Sequence, residues 1–302
     1  MTEHKKPMAE ANRISSMLNA VLGKERYPVK VDELAVEYSR QCFPDSPIDK
    51  VEGADLEDFD GLLKAKKDRS KWLILYNSAV SSEGRKRFTI AHEFGHYILH
   101  RHQQTEFACG DNDIESGDSR DIESEADLFA STLLMPLDDF RRQVDGQKIN
   151  FDLLGHCADR YGVSLTAAAL RWTDIAEKRA ILIASRDDHM LWAKSNLAAV
   201  KSGAYFPTRK NTIELPPEAL AHSNNAWLSN QEQTTRAQVW FYREPQSMPI
   251  TEMTRVAGQY DYTLTLLLMP DAEWQRPWHG DEESEEDTFD RFIRNGQFPS
   301  KK

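Results

Sequence analysis

Residues 88–100 constrain this chain more than any other stretch. They read Phe-Thr-Ile-Ala-His-Glu-Phe-Gly-His-Tyr-Ile-Leu-His, with His-Glu-x-x-His at the centre. An α-helix turns every 3.6 residues, so His92 and His96 share one face, about 6 Å apart along the axis. Both imidazoles can therefore reach one metal ion. Glu93 can project toward the open side of that ion, where water binds. Two imidazoles, a carboxylate and a helix that fixes them form the pattern of a zinc hydrolase. Phe88, Ile90, Ala91, Phe94, Ile98 and Leu99 wrap most of the remaining surface, which predicts a helix buried in a domain with its histidine face on a cleft. Glycine is unfavourable inside a helix by about 1 kcal/mol, so Gly95 predicts close packing or the approach of a ligand.

The flanking sequence supplies a scaffold for that helix. Residues 7–23 read as a helix with Ile14, Met17, Leu18, Val21 and Leu22 on one face, and a second follows over 32–40 with Asp32 as its N-cap. Leu62-Leu63 and residues 72–76 read as strands, with a turn at Asn77-Ser78. Ser81 or Ser82 caps the histidine helix. Residues 103–117 read as a polar loop on the cleft rim. A further helix is capped by Ser119 and runs from Asp121 to its stop at Pro136. Residues 151–178 read as packed helices broken at Gly162. The period then changes: residues 180–184, 189–193, 237–242 and 262–268 read as strands. Residues 195–235 carry no assignable pattern.

Two histidines do not complete a catalytic zinc site, which takes three protein ligands and keeps one position for water. His100 lies on the face of His96, but helix rise separates it from His92 by about 12 Å, so the two cannot share an ion. It is a supporting histidine, and His102 points elsewhere. On the next helix Glu123 and Asp127 are four residues apart on one face, while Glu125 faces about 200° away. Glu123 is the first candidate for the third ligand and Glu125 the fallback. With Glu123 as ligand, Asp127 could accept a hydrogen bond from a ligand histidine. The competing reading of Glu123 is an ordinary carboxylate in the first turn of a helix.

Three blocks together resemble the ImmA/IrrE family of metallo-endopeptidases: residues 87–100; residues 123–136, where Glu123 and Asp127 precede Phe129-Ala130 and Leu133-Leu134-Met135-Pro136; and Tyr161-Gly162-Val163-Ser164 followed by Ala167, Ala168 and Arg171. The likeness spans about residues 30–178. It implies a zinc-dependent (Zn2+) endopeptidase with His92, His96 and Glu123 as ligands and Glu93 as general base. It also implies a protein substrate, a helix-turn-helix transcriptional repressor whose cleavage relieves repression. The expected fold class is α+β. Residues 1–178 form a mainly helical zincin-like core with a small sheet and a helix-turn-helix-like hairpin at 150–178. A smaller β-rich or α+β domain follows at 179–275, and an acidic tail at 276–302.

Composition narrows the alternatives. The 302 residues are 40% hydrophobic and 10% aromatic, enough for a sizeable core. Three scattered cysteines, Cys42, Cys109 and Cys157, give neither a disulfide framework nor a cysteine metal knuckle. No run approaches a membrane span, and a cytoplasmic protein is expected. The hairpin could enter DNA, but the net charge of −11 and its sparse basic residues argue against direct nucleic-acid binding. The run Asp281–Asp287 is read as a solvated tail. The alternative function is a non-proteolytic regulator or sensor that binds a repressor, or DNA, through the hairpin. Tyr97, His100 and Tyr161 are all open as oxyanion donors.

Overall fold

The computed structural model describes residues 6–56, 59–109, 117–228, 230–257 and 261–272. The expected acidic tail lies outside them, as does the middle of the expected loop at 103–117. The fold is mixed α+β. Its described residues form nine α-helices and two sheets and divide into two compact units. The first comprises residues up to 148 together with 156–164; the second comprises 149–155 together with residues from Leu165 onward.

The first unit opens with α1 (Pro7–Leu22) and α2 (Val31–Cys42). Only Ala11, Ile14 and Ser15 of α1 are buried; Met17, Val21 and Leu22 of the predicted apolar face are exposed. Asp32 lies in the first turn of α2 rather than at its cap, which is Lys30, while Leu34, Ala35 and Tyr38 face inward as the period requires. A four-stranded sheet follows, from β1 (Ile48–Ala54), β2 (Gly61–Ala65), β3 (Trp72–Asn77) and β4 (Glu106–Cys109), in the order β1-β3-β2-β4. Only the β1–β3 pair is parallel. Asn77 ends β3 as its turn chemistry predicts, its Oδ1 accepting the Ala79 N–H at 2.9 Å. Part of the stretch expected to be loop is β4, which pairs with β2 from Lys64–Glu106 to Gly61–Cys109.

The histidine helix is α3 (Glu83–His100), capped by Ser82, whose Oγ accepts the Arg85 N–H at 3.3 Å. Eleven of its residues are buried, in one run broken only at Leu99. Edge-to-face aromatic pairs tie it to α2 and β3: Tyr38–Phe94 at 5.9 Å and Trp72–Tyr97 at 5.9 Å between ring centres, each contributing about 1 kcal/mol beyond area burial. α4 (Gly117–Leu134) begins two residues before the expected Ser119 cap and ends just before Pro136. α5 (Leu137–Val144) follows.

α6 (Phe151–Tyr161) and α7 (Leu165–Ile175) are separated at Gly162, whose φ of 61° only glycine adopts freely. In the second unit, β5 (Arg179–Arg186), β6 (His189–Ser195), β7 (Glu232–Arg236), β8 (Pro249–Ala257) and β9 (Tyr262–Met269) form an antiparallel sheet in the order β6-β5-β9-β8-β7. A short α8 (Leu197–Ser202) lies between β6 and β7. The expected strand at 237–242 is instead α9 (Ala237–Trp240). A short apolar run does not separate helix from strand by period alone. Here one helical turn turns Ala237, Trp240 and Phe241 into the same core as Ile181, Ile183 and Leu267.

Candidate metal centre

The crossing of α3 and α4 builds the site. A Cβ at Gly95 would lie 3.1 Å from Phe129 Cδ1 and 3.2 Å from Ala126 Cα and O. Glycine on one helix and alanine on the other let the backbones meet. Glu123 and Asp127 flank Ala126, so the close approach carries both carboxylates to the histidine face of α3.

His92, His96 and Glu123 converge there, all buried, with one ligand atom of each within 4.8 Å of the others. His92 Nε2 and His96 Nε2 are 2.9 Å apart. Glu123 Oε2 is 3.1 Å from His92 Nε2, and Glu123 Oε1 is 3.2 Å from His96 Nε2. Hydrogen bonds at the far side of each ring decide what these atoms present. His92 Nδ1 donates to Asp127 Oδ1 at 2.7 Å, so its Nε2 carries a lone pair. His100 Nε2 donates to Glu125 Oε2 at 2.9 Å. A neutral His100 is then an acceptor at Nδ1 and takes the proton of His96 Nδ1, 3.1 Å away. His96 Nε2 is left with a lone pair as well. Two imidazole lone pairs and a carboxylate facing one buried point repel one another unless a cation lies between them.

This donor set fits a zinc-type ion. Tetrahedral ligands at about 2.0–2.1 Å from a metal lie about 3.3 Å from each other, close to the three separations observed. The titration behaviour agrees. Burial pulls His96 down to about 4, outweighing the Glu123 carboxylate beside it, so the imidazole is neutral at physiological pH.

Glu93 lies next to the cluster in sequence and is fully buried. Phe107 of β4 stacks on the His96 ring at 4.7 Å with 17° between planes, and sits 6.2 Å from the His100 ring. Neither Phe107 nor its strand figured in the sequence reading; a lone phenylalanine in a short polar stretch carries no local signal. The three open oxyanion donors are engaged elsewhere. Tyr97 Oη donates to Ser46 O at 3.0 Å, Tyr161 Oη donates to Asp139 Oδ2 at 2.8 Å, and His100 bridges His96 and Glu125. Burial raises both phenols, Tyr97 to about 12 and Tyr161 further.

Residues 50–173 match the model of a peptidase family described as the IrrE N-terminal-like domain. That span contains all of α3 and α4, hence every residue of the cluster. Among solved structures, the chain is similar to a Mycobacterium tuberculosis transcriptional regulator, with 16% sequence identity and a TM-score of 0.53, over 88% of this chain and 76% of that one. At that identity the likeness bears on the fold alone. No curated protein matches the sequence.

Proposed function

Residues 50–173 belong to the ImmA/IrrE family of IrrE N-terminal-like domains, and from that premise we propose that the protein is a zinc-dependent endopeptidase acting on a helix-turn-helix transcriptional repressor. One observation carries the reading: His92, His96 and Glu123 turn three lone-pair donors toward one buried point, and the buried Glu93 follows His92 on the same helix. His92 Nε2, His96 Nε2 and the Glu123 carboxylate would hold the ion, with Asp127, His100 and Glu125 orienting the rings. Zinc, when bound, acidifies a water and polarises a peptide carbonyl. Glu93 is the proton carrier. Its carboxylate accepts the proton of the attacking water and returns it to the nitrogen of the leaving amine. Phe107 walls the His96 ring and limits its rotation. In this reading the peptidase domain occupies residues 1–178, including the hairpin at 150–178, and 179–275 form a following β-rich domain. No helix among the described residues is long and apolar enough to cross a membrane.

The test is to mix the protein and zinc with candidate helix-turn-helix repressors, starting with any that is encoded beside its gene. A discrete cut is expected, abolished by EDTA and by Glu93→Gln. A second reading, regulation by binding alone, draws on the fold shared with a transcriptional regulator. A Glu93→Gln protein that keeps its zinc and its full regulatory effect would decide for that reading.

A further inference from the structure

We propose that Gly61 is the positioning residue for Glu93: the seat of the carboxylate exists because residue 61 has no side chain. The functional meaning of this placement rests on the reading of Glu93 as proton carrier. A Cβ at Gly61 would lie 2.4 Å from Glu93 Oε1, 3.2 Å from Glu93 Cδ and 2.6 Å from Thr89 Cγ2. The first and last separations are far inside van der Waals contact. Glu93 is 0% exposed and Thr89 7%, so neither can swing into solvent.

Gly61 cannot retreat either. It is held between two strands, opposite Tyr76 of β3 and Cys109 of β4. The preceding residue is tied to the helix that carries Glu93: Asp60 Oδ2 pairs with Arg85 Nη2 at 2.6 Å, both side chains largely buried. Arg85 lies on α3 about two turns before Glu93. Asp60 O also accepts the Asn77 N–H at 2.8 Å, and Asn77 Nδ2 donates to Leu56 O at 2.7 Å. The start of β2 is thus clamped against α3 with the bare Cα of residue 61 facing the carboxylate.

The contrast with Gly95 defines the role. Gly95 makes room for the neighbouring helix, with Ala126 Cα and O among its nearest atoms. Gly61 makes room for the working end of one side chain and the methyl group of Thr89. No atom of His92, His96 or Glu123 is among the nearest neighbours of a Cβ there. Residue 61 therefore governs where the base sits and leaves the ion's ligands in place.

The experiment is a cycle of variants read without any cleavage assay. Thermal midpoints are measured for wild type, Gly61→Ala, Glu93→Ala and the double variant, with zinc added and with EDTA, and the cycle is repeated with Thr89→Ser. Overpacking predicts that Gly61→Ala lowers the midpoint by about 5 °C in wild type and by about half as much with Glu93→Ala, where the Thr89 methyl still meets the new Cβ, while a clear drop also persists with Thr89→Ser. The 13C carboxyl resonance of Glu93, assigned by its loss in Glu93→Gln, moves in Gly61→Ala, and zinc stoichiometry by equilibrium dialysis stays that of wild type. Equal drops with and without the Glu93 side chain, relief by Thr89→Ser alone, an unmoved resonance or lost zinc each overturn the proposal. If Gly61→Ala fails to fold, recovery by Glu93→Ala supports it and no recovery overturns it. The peptidase reading falls separately, if Glu93→Gln cuts the repressor as wild type does.

Discussion

At the scale of single residues, the centre is a problem of tautomers. Asp127 fixes the proton of His92, while His100, itself fixed by Glu125, fixes that of His96. Removing either support leaves the ligand atoms present but free to turn. Asp127→Asn and His100→Leu are each expected to weaken zinc binding about 10–100-fold, measured by competition with a chromogenic chelator; unchanged affinity would show that the support does not set the tautomer. The metal-free protein also has a pH signature. His96 titrates near 4 when folded and near the ordinary 6.5 when unfolded. Between those values the unfolded chain holds the extra proton, so stability rises with pH across the window and falls as acid is added. The interval corresponds to about 3 kcal/mol. Urea unfolding in EDTA across the window checks the sign, and a flat profile would contradict a neutral buried His96.

At the scale of elements, the site is a property of one helix pair. The α3–α4 crossing at Gly95 and Ala126 sets the distance that lets Glu123 meet both histidines. Gly95→Leu places a branched side chain against Ala126 backbone atoms and the Phe129 ring. The expected result is destabilisation of about 3 kcal/mol together with weaker zinc binding, because Glu123 moves with α4. Denaturant unfolding and metal titration of the same variant read the two effects. A loss of stability with zinc affinity intact would mean that the carboxylate reaches the histidines without the close crossing. The elements that sequence missed were those with weak or ambiguous periods. β1 carries three charged residues among seven, β4 has four residues, β7 reads Glu-Gln-Thr-Thr-Arg, and β8 reads Pro-Ile-Thr-Glu-Met-Thr-Arg-Val-Ala. Residues 237–242 carried the apolar content of a strand, but packing made their first four residues one turn of helix.

At the scale of the whole molecule, all three metal donors lie in the first compact unit and none in the second. A ligand stabilises only what it binds, by about 4 kcal/mol when present at a thousand times its dissociation constant. Scanning calorimetry is therefore expected to show one transition that zinc raises by about 10 °C and one that zinc leaves in place. A single transition that moves as a whole would show that the two units unfold together. The second unit has an interior of its own, including Glu252, fully buried, which accepts from Leu220 N at 2.7 Å and Gln233 Nε2 at 3.1 Å, with burial raising its carboxyl.

The sequence alone determined the parts of the centre that depend on one helix at a time. Helical period put His92 and His96 on one face, helical rise removed His100 from the same ion, and the four-residue spacing of Glu123 and Asp127 named a ligand candidate and its neighbour. These are local rules, the same in any helix. Only the tertiary structure decided which carboxylate meets the histidines, that Phe107 lies over His96, and that the bare Cα of Gly61 faces Glu93. Each of those depends on a helix crossing or a strand register, and both are set by packing between residues far apart in the chain, which leaves no period in the sequence to read.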